Sequence, residues 1–275
     1  MNEANPLAPY AEVIGDPIAQ SKSPIIHNFW LEKLGIEATY RACHVTPKAL
    51  PEYLTKRRND KNWRGCNVTL PHKLAVMDLV EDPGGLKQSI GAMNTISRTD
   101  DGNLFGTNTD AGGFLSPISD LPLEKQEVVV IGAGGAARAV LFALSRLNVG
   151  SVTIVNRNVL KASALLAHFG LKGRAIEHGA PLPPAALLVN ASALGMAGQE
   201  PLTIDLDGLP DHALIYDLVY SPLKTDLLRA AENRNLDSMD GLAMLIGQAA
   251  LAFEIFFGAT PPIEHDDELQ ALLVT

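Results

Sequence analysis

The stretch VVVIGAGGAARAVLFAL, residues 128–144, is the most informative segment of this chain. It begins with a continuous apolar run, which is typical of a strand buried on both faces of a parallel sheet. Gly132 then allows a tight turn, Gly134 lets the backbone approach a ligand, and Ala137 is small enough for close helix–strand packing. Because a helix N-terminus favours an anion, the pattern predicts a dinucleotide pyrophosphate site; a plain structural turn is the alternative.

The segments after this turn alternate between strand and helix patterns. They read SVTIVNR (151–157), KASALLAHFG (161–170), ALLVNAS (186–192) and ALIYDLVY (213–220). Short strands separated by helices predict a doubly wound parallel sheet. An apolar helix is expected from about Met239 to Phe257.

The N-terminal part mixes short strands with helices. Strands are predicted at the positions 10–15, 38–45, 66–70 and 94–98, and helices at 23–35, 50–59 and 74–79. TDDGN, residues 99–103, is typical of a hairpin turn. The fold class is therefore α/β with two domains, which a chain of 275 residues can accommodate.

The composition excludes several classes of function. The net charge is −9, and no run of Lys or Arg indicates a nucleic-acid or anionic-membrane surface. The N-terminus lacks a secretory signal pattern, and Cys43 and Cys66 are expected to be reduced and buried, so a cytoplasmic location is predicted. The dispersed histidines predict no metal site.

The end of the second nucleotide-domain strand bears on the choice of cofactor. An NAD site usually has an acid here that accepts from the ribose 2′-hydroxyl. This chain has Asn156, Arg157 and Asn158, with Lys161 further on. Cations suit a 2′-phosphate, so NADP is predicted; a solvated pair of surface cations is the alternative.

Polar residues cluster at four element ends in the N-terminal part. These are Ser21 and Ser23; Asn67, Thr69 and Lys73; Asn94; and Thr107, Asn108, Thr109 and Asp110. Each cluster alone is consistent with a helix cap, a turn or a surface charge. Together they suit a hydroxyl-rich carboxylate substrate, with hydroxyl donors for the carboxylate and a Lys/Asp pair for proton transfer.

These motifs together resemble the shikimate dehydrogenase family. The resemblance rests on GDPIAQSKSPIIHN (15–28), NVTLPHK (67–73), GAMNT (91–95), GTNTDAGG (106–113), GAGGAARA (132–139), NR (156–157), YDLVYSPLKT (216–225) and GLAMLIGQA (241–249). It implies NADP-dependent reversible reduction of 3-dehydroshikimate to shikimate in the shikimate pathway. It also implies a substrate domain of residues 1–108 and 240–275, to which the last helices return, and a Rossmann-like NADP domain of residues 109–239.

The resemblance also assigns residues to roles. The catalytic pair would be Lys73 and Asp110. The substrate site, to which we add Asn67 from the polar clusters, would comprise Ser21, Ser23, Asn67, Thr69, Lys73, Asn94, Asp110, Tyr220 and Gln248. The NADP site would comprise Gly132, Ala133, Gly134, Gly135, Ala136, Asn156, Arg157 and Lys161, with Leu218 and Gly241 near the nicotinamide.

Two departures from the family pattern bear on specificity. Gln20 stands where the family often has histidine, and Asn158 stands where it often has threonine. The alternatives are a quinate/shikimate dehydrogenase with broader substrate or NAD use, and a non-catalytic homologue that senses shikimate or NADPH. A folate-type dehydrogenase would give no reason for the paired serines. The oligomeric state is not fixed by the sequence, which allows a homodimer.

Overall fold

The computed structural model describes residues 8–274. The chain forms two compact units: one runs to Gly112 and resumes at Ile246, and the other comprises Gly113–Leu245. These boundaries lie a few residues beyond the positions 108 and 240 expected from the sequence.

The first unit is built on a mixed sheet with the strand order β2-β1-β3-β4-β5. Strands β1, β2 and β3 are parallel, and β4 and β5 continue the sheet as an antiparallel hairpin across the predicted TDDGN turn. The strands and the helices between them are β1 (Tyr10–Gly15), α1 (Ser23–Lys33), β2 (Thr39–His44), α2 (Leu50–Arg58), β3 (Trp63–Val68), α3 (Leu86–Ser89), β4 (Thr95–Arg98) and β5 (Leu104–Thr107).

The second unit contains a fully parallel sheet with the order β11-β10-β9-β6-β7-β8. The chain starts at the centre with β6, moves outward through β7 and β8, and then crosses to β9 on the other side. This confirms the predicted doubly wound sheet, in which a ligand site is expected where the strand order reverses. Helix α4 (Asp110–Leu115) begins in the first unit and crosses the boundary after Gly112. The elements that follow it are β6 (Glu127–Ile131), α5 (Gly135–Leu144), β7 (Ser151–Val155), α6 (Val159–Phe169), β8 (Gly173–Ile176), β9 (Leu187–Asn190), β10 (Leu214–Asp217), α7 (Asp226–Asn233) and β11 (Asp237–Met239).

Burial in this sheet explains the continuous apolar run of β6. Val128 and Val130 pack into the core on one face, while Val129 and Ile131 pack into the core on the other. All four side chains are buried, so these positions do not face solvent and do not call for a polar residue.

The C-terminal chain returns to the first unit through α8 (Leu242–Phe257) and α9 (Asp266–Leu273). Ala252 and Phe256 of α8 pack on Ala11 and Val13 of β1. The fold therefore agrees with the expected return.

Two predicted helices differ from the structure. The segment expected as a helix at 74–79 is only a 3₁₀ turn, Ala75–Asp78. The long helix begins at Leu242 and not at Met239, because Asp237–Met239 pairs with β10 as the last strand of the parallel sheet. Local sequence carries no signal for such a three-residue edge strand.

Candidate active site

An ion pair between Lys73 and the buried Asp110 is the centre of the candidate site in the first unit. Lys73 Nζ donates to Asp110 Oδ2 at 2.6 Å, and the side chains are only 14% and 6% exposed. The loop that carries Lys73 after β3 is itself fixed. The Lys73 carbonyl accepts from the Met93 amide at 2.9 Å, and the buried His72 ring lies 2.6 Å from the Val45 carbonyl oxygen through Nε2. The Lys73 side chain is therefore fixed in place by its contact with Asp110, and it is not a solvated surface charge.

The side chain of Asn94 contacts both Asp110, at the start of α4, and Gln248, on α8. Its amide nitrogen lies 2.9 Å from Asp110 Oδ1, 2.9 Å from Thr109 Oγ1 and 3.3 Å from Gln248 Oε1. Its amide oxygen accepts from the Thr109 backbone N–H at 2.7 Å. The structure thus brings together four residues of the predicted substrate site, Lys73, Asn94, Asp110 and Gln248, although they come from distant parts of the chain.

The predicted serine and threonine ligands lie at the carboxyl ends of β1 and β3. The two loops are joined because the Asp16 amide donates to the Leu70 carbonyl at 3.0 Å. Helix α1 starts at Ser23, and its N-cap is Lys22 without a side-chain capping bond. The Ser21 hydroxyl accepts from the Ser23 amide at 3.3 Å. A conventional N-cap therefore does not account for the serines, which stand at a helix N-terminus suited to a carboxylate.

Asn67, also predicted as a substrate ligand, is engaged inside the unit. It is buried, its amide oxygen accepts from the Tyr40 hydroxyl at 2.6 Å, and its amide nitrogen donates to Thr95 Oγ1 at 3.0 Å. Both ends of the amide thus have partners within the unit. Tyr40 and Thr95 had no signal in the sequence analysis as parts of the site, because no motif gave either of them a role.

The glycine turn between β6 and α5 contains two positions, Gly132 and Gly134, at which a glycine is favoured for different reasons. Gly132 has a φ of +109°, and a Cβ there would lie 2.9 Å from the Ala191 carbonyl oxygen. At Gly134, which caps helix α5, the backbone is extended with a φ of −92°, and a Cβ would meet no heavy atom within 4 Å. Packing therefore does not require a glycine at this second position. Open space above a helix N-terminus fits the pyrophosphate of a dinucleotide.

The predicted 2′-phosphate residues follow the end of β7. Arg157 and Lys161 are exposed, and within residues 8–274 neither forms an ion pair. Asn158 caps helix α6, since its Oδ1 accepts from the Lys161 amide at 2.9 Å. Asn158 therefore has a structural role of its own, since asparagine is among the preferred N-cap residues. His178, which the sequence analysis missed, lies near Arg157; partial burial and then the Arg157 charge lower the pKa of His178.

The remaining predicted residues, Leu218, Tyr220 and Gly241, lie around the end of β10. The Gly241 amide donates to the Val219 carbonyl at 3.3 Å, and a Cβ on Gly241 would overlap the Leu218 carbonyl. The structure thus brings Leu218 and Gly241 together, while Tyr220 is half-buried two residues along the loop.

A buried carboxyl that the sequence analysis missed supports this loop. Asp217 accepts from Asn190 Nδ2 at 2.8 Å, from the Val219 amide at 3.0 Å and from the Thr225 hydroxyl at 2.6 Å. Burial raises the pKa of Asp217, although the three hydrogen bonds oppose that shift. The segment that carries Leu218 is therefore tied to both β9 and the start of α7.

The described chain offers neither a metal site nor a membrane-spanning helix. From residue 8 to residue 274, no group of three His, Cys, Asp or Glu side chains could hold a metal ion. Over the same residues, no helix has both the length and the apolar character needed to cross a membrane. Cys43 and Cys66 are both free, and burial raises the pKa of each thiol.

Comparison with known proteins connects this geometry to one family. Residues 13–96 match the shikimate dehydrogenase substrate binding domain, residues 117–178 match the shikimate/quinate 5-dehydrogenase model, and residues 241–266 match the shikimate 5′-dehydrogenase C-terminal domain. The first match contains the loops of Ser21, Thr69 and Lys73, and the second contains the glycine turn.

Whole-chain relatives agree with these matches. The shikimate dehydrogenase (NADP⁺) of Sphingopyxis alaskensis is 66% identical over 97% of both chains. A shikimate 5-dehydrogenase from Thermus thermophilus, solved with NADP(H) and shikimate, has a TM-score of 0.85 and 38% identity, covering 96% of this chain and 99% of that one. A shikimate dehydrogenase solved with NADP⁺ has a TM-score of 0.89 and 32% identity, covering 99% and 98%. At this level of identity along nearly the whole length, the chain belongs to the shikimate dehydrogenase family.

Proposed function

We propose that this protein is an oxidoreductase that reduces 3-dehydroshikimate to shikimate reversibly with NADP in the shikimate pathway. The observation that carries the proposal is the Lys73–Asp110 ion pair, to which Asn94 donates and near which Gln248 lies. Such a pair can bind a hydroxyl or ketone oxygen and exchange a proton with it. Membership of the family supports the choice of substrate.

Lys73 and Asp110 are the residues proposed to act on the reacting oxygen. NADPH, when bound, supplies a hydride to the ketone carbon. The ammonium of Lys73 stabilises the negative charge that develops on the ketone oxygen and is positioned to transfer a proton to it. Asp110 holds the lysine in place through the 2.6 Å contact. In the direction of shikimate oxidation, the same groups accept the hydroxyl proton.

The first unit is proposed to bind the substrate, corresponding to the sequence domain of residues 1–108 and 240–275. Ser21, Ser23 and Thr69 would donate to the substrate carboxylate at the N-terminus of α1. Asn94 and Gln248 would bind ring hydroxyls beside the ion pair.

The second unit is proposed to bind NADP, corresponding to residues 109–239. The backbone of the turn from Gly132 to Ala136 would hold the pyrophosphate, and Arg157 with Lys161 would hold the 2′-phosphate, supported by Asn156. Leu218 and Gly241 would line the nicotinamide site. The absence of an acid at the end of β7, where Asn156 stands, favours NADP over NAD.

The experiment is a set of four assays on the purified full-length protein, in which shikimate or quinate is combined with NADP⁺ or NAD⁺. Turnover is measured from the absorbance of the reduced nicotinamide that forms. We expect turnover of shikimate with NADP⁺ far above the other three combinations. Comparable turnover of quinate would favour the quinate/shikimate alternative. Binding of shikimate without turnover in any combination would favour the sensing homologue and would contradict the proposal.

A cytoplasmic location is a further prediction, and the sequence allows a homodimer without requiring one. The two free cysteines are consistent with a reducing compartment. Size-exclusion chromatography with light scattering would give the oligomeric state.

A further inference from the structure

A continuous chain of hydrogen bonds runs from the sheet of the first unit to the candidate acid/base pair. It starts at the Tyr40 hydroxyl on β2, which donates to Asn67 Oδ1 on β3 at 2.6 Å. Asn67 Nδ2 donates to Thr95 Oγ1 on β4 at 3.0 Å, and the Thr95 hydroxyl lies 3.2 Å from Asn94 Oδ1. Asn94 Nδ2 then donates to Asp110 Oδ1 at 2.9 Å. These residues lie in one unit, and Tyr40, Asn67, Thr95 and Asn94 are all buried.

The direction of each bond in this chain is set by the one before it. A tyrosine hydroxyl that donates to Asn67 places the amide oxygen towards Tyr40 and the amide nitrogen towards Thr95. Because Thr95 Oγ1 accepts from that nitrogen, its own proton points away, towards Asn94 Oδ1 or Thr109 Oγ1 at 3.2 Å. The Thr95 hydroxyl thereby assists the Thr109 backbone N–H, which donates to the same oxygen at 2.7 Å, in holding the oxygen of Asn94 inward, so that its NH₂ group faces the carboxylate of Asp110.

The tyrosine at the start of the chain is itself fixed. Asn28 accepts from the Tyr40 amide at 2.9 Å and donates to the Tyr40 carbonyl at 2.7 Å. The tyrosine ring stacks on His27 with a centroid distance of 3.9 Å and an interplanar angle of 3°. A fixed ring places the hydroxyl at one point beside Asn67, so the tyrosine can act as an anchor.

We propose that Tyr40 is a positioning residue for the Lys73–Asp110 pair, acting through Asn67 and Thr95 on the amide of Asn94. The inference rests on the proposed function, because it assigns the pair its acid/base role. It also changes the expectation for Asn67, which would help to position Asn94 through Thr95 and would not bind the substrate itself. Loss of the Tyr40 hydroxyl leaves Asn67 Oδ1 buried without this donor. The Asn67 amide can then rotate so that Oδ1 faces Thr95 and accepts the Thr95 proton, and Asn94 loses the bond that helps to orient it.

The test compares Tyr40→Phe with Tyr53→Phe in the full-length protein. Tyr53 is a matched control, because its buried hydroxyl also donates at 2.6 Å, to Glu12, in the same unit, and it is not part of the chain to Asp110. Both variants lose one buried hydrogen bond and should melt at lower temperature. Only Tyr40→Phe should lower kcat for shikimate oxidation, by about five- to thirtyfold, with KM values changed less than about threefold.

A second measurement tests the route of the effect. Thr95→Val removes the linking hydroxyl at constant shape, so Tyr40→Phe added to it should reduce kcat no further, whereas Tyr53→Phe should combine independently. Thr95→Ser keeps the hydroxyl, so its kcat should remain near that of the wild type. If Tyr40→Phe does not fold, the difference in kcat between Thr95→Ser and Thr95→Val tests the route in its place. Multiplying effects of Tyr40→Phe and Thr95→Val would overturn the proposal, as would equal kcat losses in the two tyrosine variants.

A third readout does not depend on turnover. In ¹⁵N-labelled protein, the side-chain amide resonances of Asn94 should move in Tyr40→Phe and stay in place in Tyr53→Phe. If the wild-type protein turned over no shikimate while this shift was seen, the proposed function would be wrong and the hydrogen-bond route would stand. An unmoved resonance together with a normal kcat would reject the route and leave the proposed function intact.

Discussion

Gly132 and Gly134, both in the glycine turn, should respond differently to substitution by alanine. The first variant should lose stability, whereas the second should lose affinity for NADP⁺. At Gly132 an alanine must adopt a φ of +109° and place its Cβ 2.9 Å from the Ala191 carbonyl oxygen. The backbone conformation costs about 1–3 kcal/mol, and the overlap adds roughly 1–2 kcal/mol. Gly132→Ala should therefore lose about 2–5 kcal/mol of stability and melt about 5–15 °C lower.

Gly134→Ala should instead fold normally and bind NADP⁺ poorly. Its φ of −92° suits any residue, and the added methyl group meets no protein atom within 4 Å. The weaker helix cap and the reduced entropy of the unfolded chain nearly cancel, so stability should stay within about 1 kcal/mol. If the pyrophosphate approaches this backbone, the methyl group occupies its place. We expect the NADP⁺ dissociation constant to rise about ten- to hundredfold, equivalent to about 1.4–2.8 kcal/mol.

Calorimetric titration and thermal melts of both variants would measure these effects. Adenosine 2′-monophosphate is the matched ligand, because it carries the 2′-phosphate without a pyrophosphate, and its affinity for Gly134→Ala should change little. Wild-type affinity of Gly134→Ala for NADP⁺ would refute the assignment of the pyrophosphate to this turn. A loss of stability as large as that of Gly132→Ala would refute the distinction between the two glycines.

The acid/base pair, the cofactor cations and a buried histidine give three more expectations. Lys73→Ala and Asp110→Asn should each lower kcat by roughly 10²–10⁴ in the shikimate assay, and the double variant should lose less than the product. Arg157→Ala should raise the dissociation constant of NADP⁺ about ten- to hundredfold and that of NAD⁺ little, whereas the exposed Arg174→Ala should change neither; equal effects on both cofactors would remove Arg157 from the 2′-phosphate site. Burial lowers the pKa of His27 from 6.5 to about 3. Below about pH 6.5 the unfolded chain therefore binds a proton at this residue, whereas the folded protein does not. Wild-type stability should therefore fall relative to His27→Phe as the pH drops from 6.5 towards 4, by at most about 1.4 kcal/mol per pH unit in urea unfolding followed by tryptophan fluorescence; parallel pH curves would contradict this.

Features that depend on neighbouring residues were predictable from the sequence. The apolar run of β6, the glycine turn and the following helix form one local unit, and the parallel sheet follows from its repetition. The two cations after β7 could be proposed for the 2′-phosphate from the sequence because a dinucleotide site places the 2′-substituent next to that strand, and this assignment stays a prediction. Lys73 could be singled out as a candidate because it follows the strand predicted at 66–70 together with the polar residues Asn67 and Thr69.

Other features depended on contacts between distant segments. The 3₁₀ turn at Ala75–Asp78 and the strand β11 are too short to have a periodicity of their own. Asn158 appears in the sequence as a lost hydroxyl, and only the folded chain identifies it as the N-cap of α6.

The sequence by itself determined the alternation of most strands and helices, the glycine turn and which side chains are chemically capable of acid/base work, because these follow from residue type and local spacing. Only the tertiary structure decided that Lys73 contacts Asp110, which lies 37 residues away in the chain, and that Asn67 faces inward to Tyr40 and Thr95. The physical reason is that a hydrogen bond depends on the distance and direction between two groups. Sheet register and helix packing set both across chain separations that no local pattern encodes.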